Sequence, residues 1–152
     1  MASNRHLGRI IALQTLYEYD FRVECEDSDV DLKDILARNL VRYEKTLDDK
    51  PFVESLVNGV TAINSKLDEI IQPIAPEWPI DQIARVDRTI LRMAVYELTE
   101  SGKDVPPKVV INEAVELAKA FGSDNSSKFV NGVLGTAYRT LIEGQPNADA
   151  KV

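Results

Sequence analysis

The chain has 152 residues, 44% hydrophobic and 28% charged, with 18 Lys+Arg against 25 Asp+Glu and a formal net charge of −7. That length buries roughly 70% of the unfolded chain's surface, enough for a core without staples, and favours one domain or a joined pair of subdomains. No apolar run reaches the roughly 20 residues a membrane helix needs, and the lone Cys25 excludes an intrachain disulfide and fits a reducing, cytoplasmic setting.

Strand signals are scarce and helical periodicity recurs, which predicts an all-α protein in two packed helical subdomains, with about six to seven helices. The first helix is predicted over residues 4–21, with Ile10, Leu13, Leu16, Tyr17 and Phe21 as its apolar set. Arg9, Gln14 and Glu18 interrupt it, so the N-terminus does not read as a secretory signal. Residues 24–29 read as an acidic loop. Glu24, Glu26, Asp27, Asp29, Asp31 and Asp34 crowd this region, and without them the remaining charge is nearly balanced. A second helix is predicted over 31–45, with Leu32, Ile35, Leu36, Leu40 and Tyr43 inward.

Asp48-Asp49-Lys50-Pro51 reads as a helix start, with carboxylates near the positive end of the dipole and proline in the first turn. One continuous helix is predicted from there to about residue 72, because Phe52, Leu56, Val60, Ile63, Leu67 and Ile70 recur at spacings of three and four. Pro73, Pro76 and Pro79 then break helix formation, which places a boundary between subdomains of about 4–73 and 79–143. Residues 80–83 read as a single turn. The next helix, 86–99, is apolar on so many sides that it should be central, and Ser101 to Asp104 should end it. Pro106 and Pro107 open a further helix that closes at Phe121-Gly122, with glycine at the C-cap. Ser123 or Asp124 should cap the last helix, running to about 142. Gly132 and Gly135 inside it predict close approach of a neighbouring helix, and residues 144–152 read as a frayed polar tail.

The residues offer little for catalysis. His6 is the only histidine and has no nucleophile pattern beside it, and one His with one Cys cannot build a standard zinc site. The glycines of the last helix follow no strand, so a dinucleotide fingerprint fails its context. No cofactor and no enzymatic activity are expected.

Binding is better served. Arg5 and Arg9 stand four apart and share a helix face, with His6 beside them; they read either as solvated cations or as a short arm for phosphates. Lys119, Phe121, Lys128 and Phe129 flank the polar turn 122–128, where an exposed aromatic would stack on an unpaired base. Core packing is the competing reading for at least one of the two phenylalanines. Arg85, Arg88 and Arg92 recur at near-helical spacing around Asp87 and read as an internal ion-pair set. The acidic balance argues against a broad nucleic-acid footprint but allows a local basic patch.

Several segments together resemble the NusB family of bacterial transcription antitermination factors. They are Val86-Asp87-Arg88, Leu91 to Leu98, Asp104-Val105-Pro106 with Lys108, Ile111 to Lys119, Phe121-Gly122, and Lys128 to Leu134, with a weaker match at Ala12 to Tyr17. The resemblance covers most of the chain from Arg5 to about Ala137 and implies one NusB-like domain over residues 1–152. It implies a role and no activity: binding boxA-type single-stranded leader RNA jointly with NusE, a small-subunit ribosomal protein, within an RNA polymerase antitermination complex on ribosomal RNA operons. Carried over residue by residue, the implied RNA surface comprises Arg5, His6, Arg9, Gln14 and Tyr17, then Lys119, Phe121, Ser123, Asn125, Ser126, Lys128 and Phe129. The implied NusE surface includes Asp87 and Arg92. Some family members self-associate, so a homodimer is left open. Leu7 and Gly8 stand where family arms commonly carry more cations, which motivates an alternative: a protein–protein adaptor with little RNA affinity of its own. A similar helical domain also occurs fused to RNA cytosine methyltransferases, but this sequence carries no methyl-donor domain, and methyl transfer is not expected.

Overall fold

A computed structural model of the chain describes residues 2–100 and 105–143, and the expectations for 101–104 and for the tail from 144 lie outside the described residues. Among the described residues the protein is helical, with no strand. The helices are α1 (Ala2–Glu24), α2 (Leu32–Arg42), α3 (Lys50–Ala62), α4 (Asn64–Ile74), α5 (Arg85–Thr99), α6 (Pro107–Phe121) and α7 (Ser126–Ala137). A 3-10 turn (Ile80–Gln82) precedes α5, and a π-helical turn (Tyr138–Glu143) continues α7. The chain forms two compact units, Met1–Ala62 and Ile63–Val152.

In the first unit α1 packs against α2 and α3. Ile11, Ala12, Leu13 and Leu16 of α1 are buried with Ile35, Leu36 and Leu40 of α2 and Val53, Leu56, Val57 and Val60 of α3. A buried hydrogen bond from Asn39 Nδ2 to Thr15 Oγ1, 2.9 Å long, sets α2 against α1. Three residues past its predicted end, α1 stops at a turn in which Glu26 takes φ 59°. Glu26 N–H donates to Val23 O and Asp27 N–H to Arg22 O, both at 3.0 Å. This is the Schellman closure, with glutamate where glycine is usual. Asp31 caps α2 through the Lys33 N–H at 2.9 Å.

The second unit is built on α5, which packs against α4, α6 and α7. Eleven residues of α5, among them Asp87 to Val95, are buried, as its all-round apolar pattern predicts. Pro107 opens α6 in its first turn, where the missing N–H has no intrahelical acceptor to lose.

Three expectations need correction. The helix predicted over 48–72 is two, α3 and α4, separated at Ile63 (φ −123°, ψ 30°). Gly59 and the β-branched Val60 and Thr61 weaken the end of α3, and Thr61 Oγ1 turns back on Val57 O at 2.8 Å. Pro73 is accommodated inside the last turn of α4. Neither Ser123 nor Asp124 caps α7; Asn125 holds the N-cap position, without a side-chain cap bond. Finally, among the described residues no neighbouring helix reaches Gly132 or Gly135. A Cβ on Gly132 would meet nothing within 4 Å, and one on Gly135 only the Arg139 side chain at 3.6 Å.

Candidate nucleic-acid interface

In the first unit the candidate residues lie on α1. Arg5 and Arg9 both place their guanidinium groups over the ring of Phe52, at 4.5 and 5.2 Å from its centroid. The geometry is that of a cation–π pair, worth about 0.5–2 kcal/mol depending on desolvation. Arg5 Nε also lies 3.4 Å from Asp49 Oδ2, with about a third of each side chain exposed. Arg9, predicted to face RNA, is instead 3% exposed. Burial makes it part of the α1–α3 packing, so it shapes the arm from beneath. Gly8 is the reason the ring fits: a Cβ there would come within 3.0 Å of Phe52 Cδ2. His6 is half-buried beside them. Further along, Gln14 Oε1 accepts from the Tyr43 hydroxyl at 3.4 Å, and Tyr17 is 38% exposed.

Beyond Tyr17 the helix carries an ion cluster. Glu18 takes hydrogen bonds from Arg38 of α2 and from Arg22, the latter at 3.1 Å, and Arg22 Nε donates to Asp27 Oδ2 at 2.8 Å. Burial would raise the Glu18 carboxyl, but the two arginines outweigh it and hold it below its ordinary 4.5. The Asp29 N–H, followed by Arg22, holds Asp27 low as well.

In the second unit the candidates gather where α6 turns into α7. Phe121 is 40% exposed, and Lys119 is well exposed with only a loose pair to Glu116 at 3.7 Å. Lys128 is exposed and Phe129 half-buried. The turn is tight because Ser126 folds under it. Its Oγ accepts from the Ser123 N–H at 2.9 Å and lies 3.2 Å from Ser123 Oγ. A Cβ on Gly122 would fall 2.4 Å from Ser126 Oγ and 2.8 Å from Ala118 O. Glycine is therefore needed here for space; its φ of −93° is open to any residue. Ser126, predicted to touch RNA, is 2% exposed and spends its hydroxyl on the turn, which leaves Ser123 and Asn125 exposed, with Asp124 exposed between them.

Beside this turn lies a cleft of about 270 Å³ lined by Trp78, Gln82, Ile83, Ala84, Asp87, Ser123, Asn125, Ser126 and Phe129. Asp87 is 8% exposed, and its Oδ1 is buried with no hydrogen-bond partner among the described residues. Arg92 does not share the cleft. Its Nε and Nη2 grip both oxygens of Asp68 at 2.7 and 2.8 Å, and Arg88 Nη1 donates to Ile80 O at 3.2 Å. Arg92 thus makes an internal ion pair, as the spacing suggested for it, whereas the Arg88 bond ends on a backbone carbonyl. Sequence reasoning did not single out Phe52, Asp49, Asp68 or Trp78 as neighbours of these groups. Trp78, half exposed between Pro76 and Pro79, had the clearest signal: a lone tryptophan on a proline-broken connection. Among the described residues no group of three acidic, His or Cys side chains is placed to hold a metal ion, and no helix is long and apolar enough to cross a membrane.

The NusB family model matches residues 6–139, a span that runs from within α1 through the α6–α7 turn. The chain belongs to the NusB family. Within it, the transcription antitermination protein NusB of Chloroflexus aggregans is 45% identical over 151 residues, covering 98% of this chain and 97% of that one. The T. maritima NusB structure superposes with a TM-score of 0.78 at 33% identity, covering 97% of each chain. A chain from the crystal structure of antitermination factors NusB and NusE in complex with dsRNA has a TM-score of 0.79 at 26% identity, covering 92% of this chain and 99% of that one.

Proposed function

We propose that this NusB-family chain is a non-enzymatic antitermination factor that binds boxA-type leader RNA together with NusE. Loaded in this way, it sustains processive transcription of ribosomal RNA operons by RNA polymerase. The observation that carries the reading is family membership combined with likeness to a chain crystallised with antitermination factors and dsRNA. The chemistry of the candidate residues in each unit agrees with it. Arg5 and His6 on α1, and Lys119 and Lys128 at the α6–α7 turn, suit phosphate contacts, which position a strand without reading it. Tyr17, Phe121 and Phe129 offer ring faces for unpaired bases, and Gln14, Ser123 and Asn125 offer polar groups for base edges. Arg9 and Ser126 support these groups from below.

The NusE contact is assigned to the cleft at Asp87. A buried carboxylate oxygen without a donor is costly, and a cationic side chain of a partner would satisfy it. Arg92 would act there indirectly, by fixing Asp68 and the flank of α5. Titration of labelled boxA RNA with and without NusE tests the reading. Arg5, Lys119 and Lys128 as three phosphate-neutralising cations imply a log–log salt slope of about −2 for single-stranded RNA.

The adaptor alternative draws on the net charge of −7 and the pairing of Arg5 with Asp49. Normal NusE binding with RNA indifferent to Arg5→Ala and Lys128→Ala would establish it. Self-association through the same cleft would compete with NusE, and sedimentation of the chain with and without NusE reads that directly.

A further inference from the structure

We infer that Asp49 and Phe52, neither part of the phosphate-binding set, govern how α1 engages RNA: Phe52 positions the arginines and Asp49 competes with phosphate for Arg5. This rests on the RNA reading of α1 given above. The Asp49 carboxylate has two occupations. Oδ1 accepts the Phe52 N–H at 3.2 Å, the bond of a helix N-cap in the first turn of α3, and Oδ2 faces Arg5 Nε at 3.4 Å. Phe52 in turn lies against Gly8 and under two guanidinium groups, one of them buried. Two like charges over one ring repel each other, and Asp49 offsets that repulsion in the free protein. A phosphate arriving at Arg5 meets this carboxylate and must share the guanidinium with it or displace it. The arm is therefore held in shape and partly neutralised by the same first turn of α3.

The two occupations of Asp49 separate cleanly by substitution. Asn is as good an N-cap as Asp, so Asp49→Asn keeps the bond to Phe52 N–H and removes only the charge. In titrations of boxA RNA with the full chain and NusE at several salt concentrations, Asp49→Asn is expected to tighten binding about two- to fivefold at low salt. The log–log slope should steepen by a fraction of about 0.7, the increment for one fully neutralised phosphate, because Asp49 leaves Arg5 only partly available to the phosphate it already meets. Phe52→Leu is expected to weaken binding several-fold, and Phe52→Tyr, which retains a ring face, to restore it. All three are measured well below the melting temperature found by circular dichroism, so that a folding defect is not read as a binding defect. If Arg5→Ala weakens binding while Asp49→Asn leaves affinity and slope unchanged, the competition is refuted and the RNA reading stands. If Phe52→Tyr binds no better than Phe52→Leu, the positioning role is refuted. If Arg5→Ala itself has no effect, the RNA reading of α1 fails first.

Discussion

At Gly122 a single hydrogen atom decides whether the α6–α7 turn can close. A methyl group there would press on Ser126 Oγ and Cβ and on the carbonyl of Ala118, none of which is the free end of a long side chain. Gly122→Ala is accordingly expected to destabilise the protein by about 1–3 kcal/mol, the usual cost of overpacking, measured by urea unfolding. It should also disturb Ser123 and Asn125. The glycine was legible in the sequence as a helix end, but its reason was not, because the constraint comes from a serine folded beneath the turn and not from backbone handedness. Glu18 has a different vulnerability. Its folded-state pKa lies below the ordinary value, so it contributes stability above that value and loses it as pH falls through the folded pKa. Asp27, also held low, adds to the same trend. Stability should therefore fall as pH drops below about 4.5. Thermal melts from pH 7 to pH 3 should show a shallower fall for Glu18→Gln than for the parent chain; an identical fall would contradict the assignment.

Among the helices, the clearest lesson is the break at Ile63. Val60, Ile63, Leu67 and Ile70 keep their three- and four-residue spacing straight through it, so periodicity alone cannot reveal the interruption. Only the weak helix formers Gly59, Val60 and Thr61 signalled it. By contrast, α5 was legible because its apolar residues cover most of its circumference, and α6 because proline opens it and glycine follows it. The reading of α7 failed in an instructive way. Glycines inside a helix suggested a tight neighbour, yet Gly132 faces open space. Without a packing role, Gly132 costs helix stability by about 0.5–1 kcal/mol relative to alanine. Gly132→Ala should raise the unfolding free energy by that amount, read from chemical denaturation. A loss of stability would show that a close contact exists there after all.

For the molecule as a whole, the net charge of −7 pointed away from nucleic acid, while the positions of a few cations pointed towards it. Acidic residues collect on the α1–α2 connection, where Asp27 is tied to Arg22. The candidate cations belong to other segments, the first turns of α1 in one unit and the α6–α7 turn in the other. The fold class was readable from helical periodicity, and the aromatic and basic residues of the candidate surface from their types. Which of them are buried was not, since the burial of Arg9 depends on Phe52 some forty residues away in sequence. The central claim is that this acidic chain binds unpaired RNA jointly with NusE. Its most direct test is a fluorescence titration of boxA RNA with the full chain, alone and with NusE, from low to physiological salt. Binding that tightens when NusE is added, and weakens with salt at a log–log slope near −2, is expected. Affinity that is indifferent to NusE and to salt would contradict it.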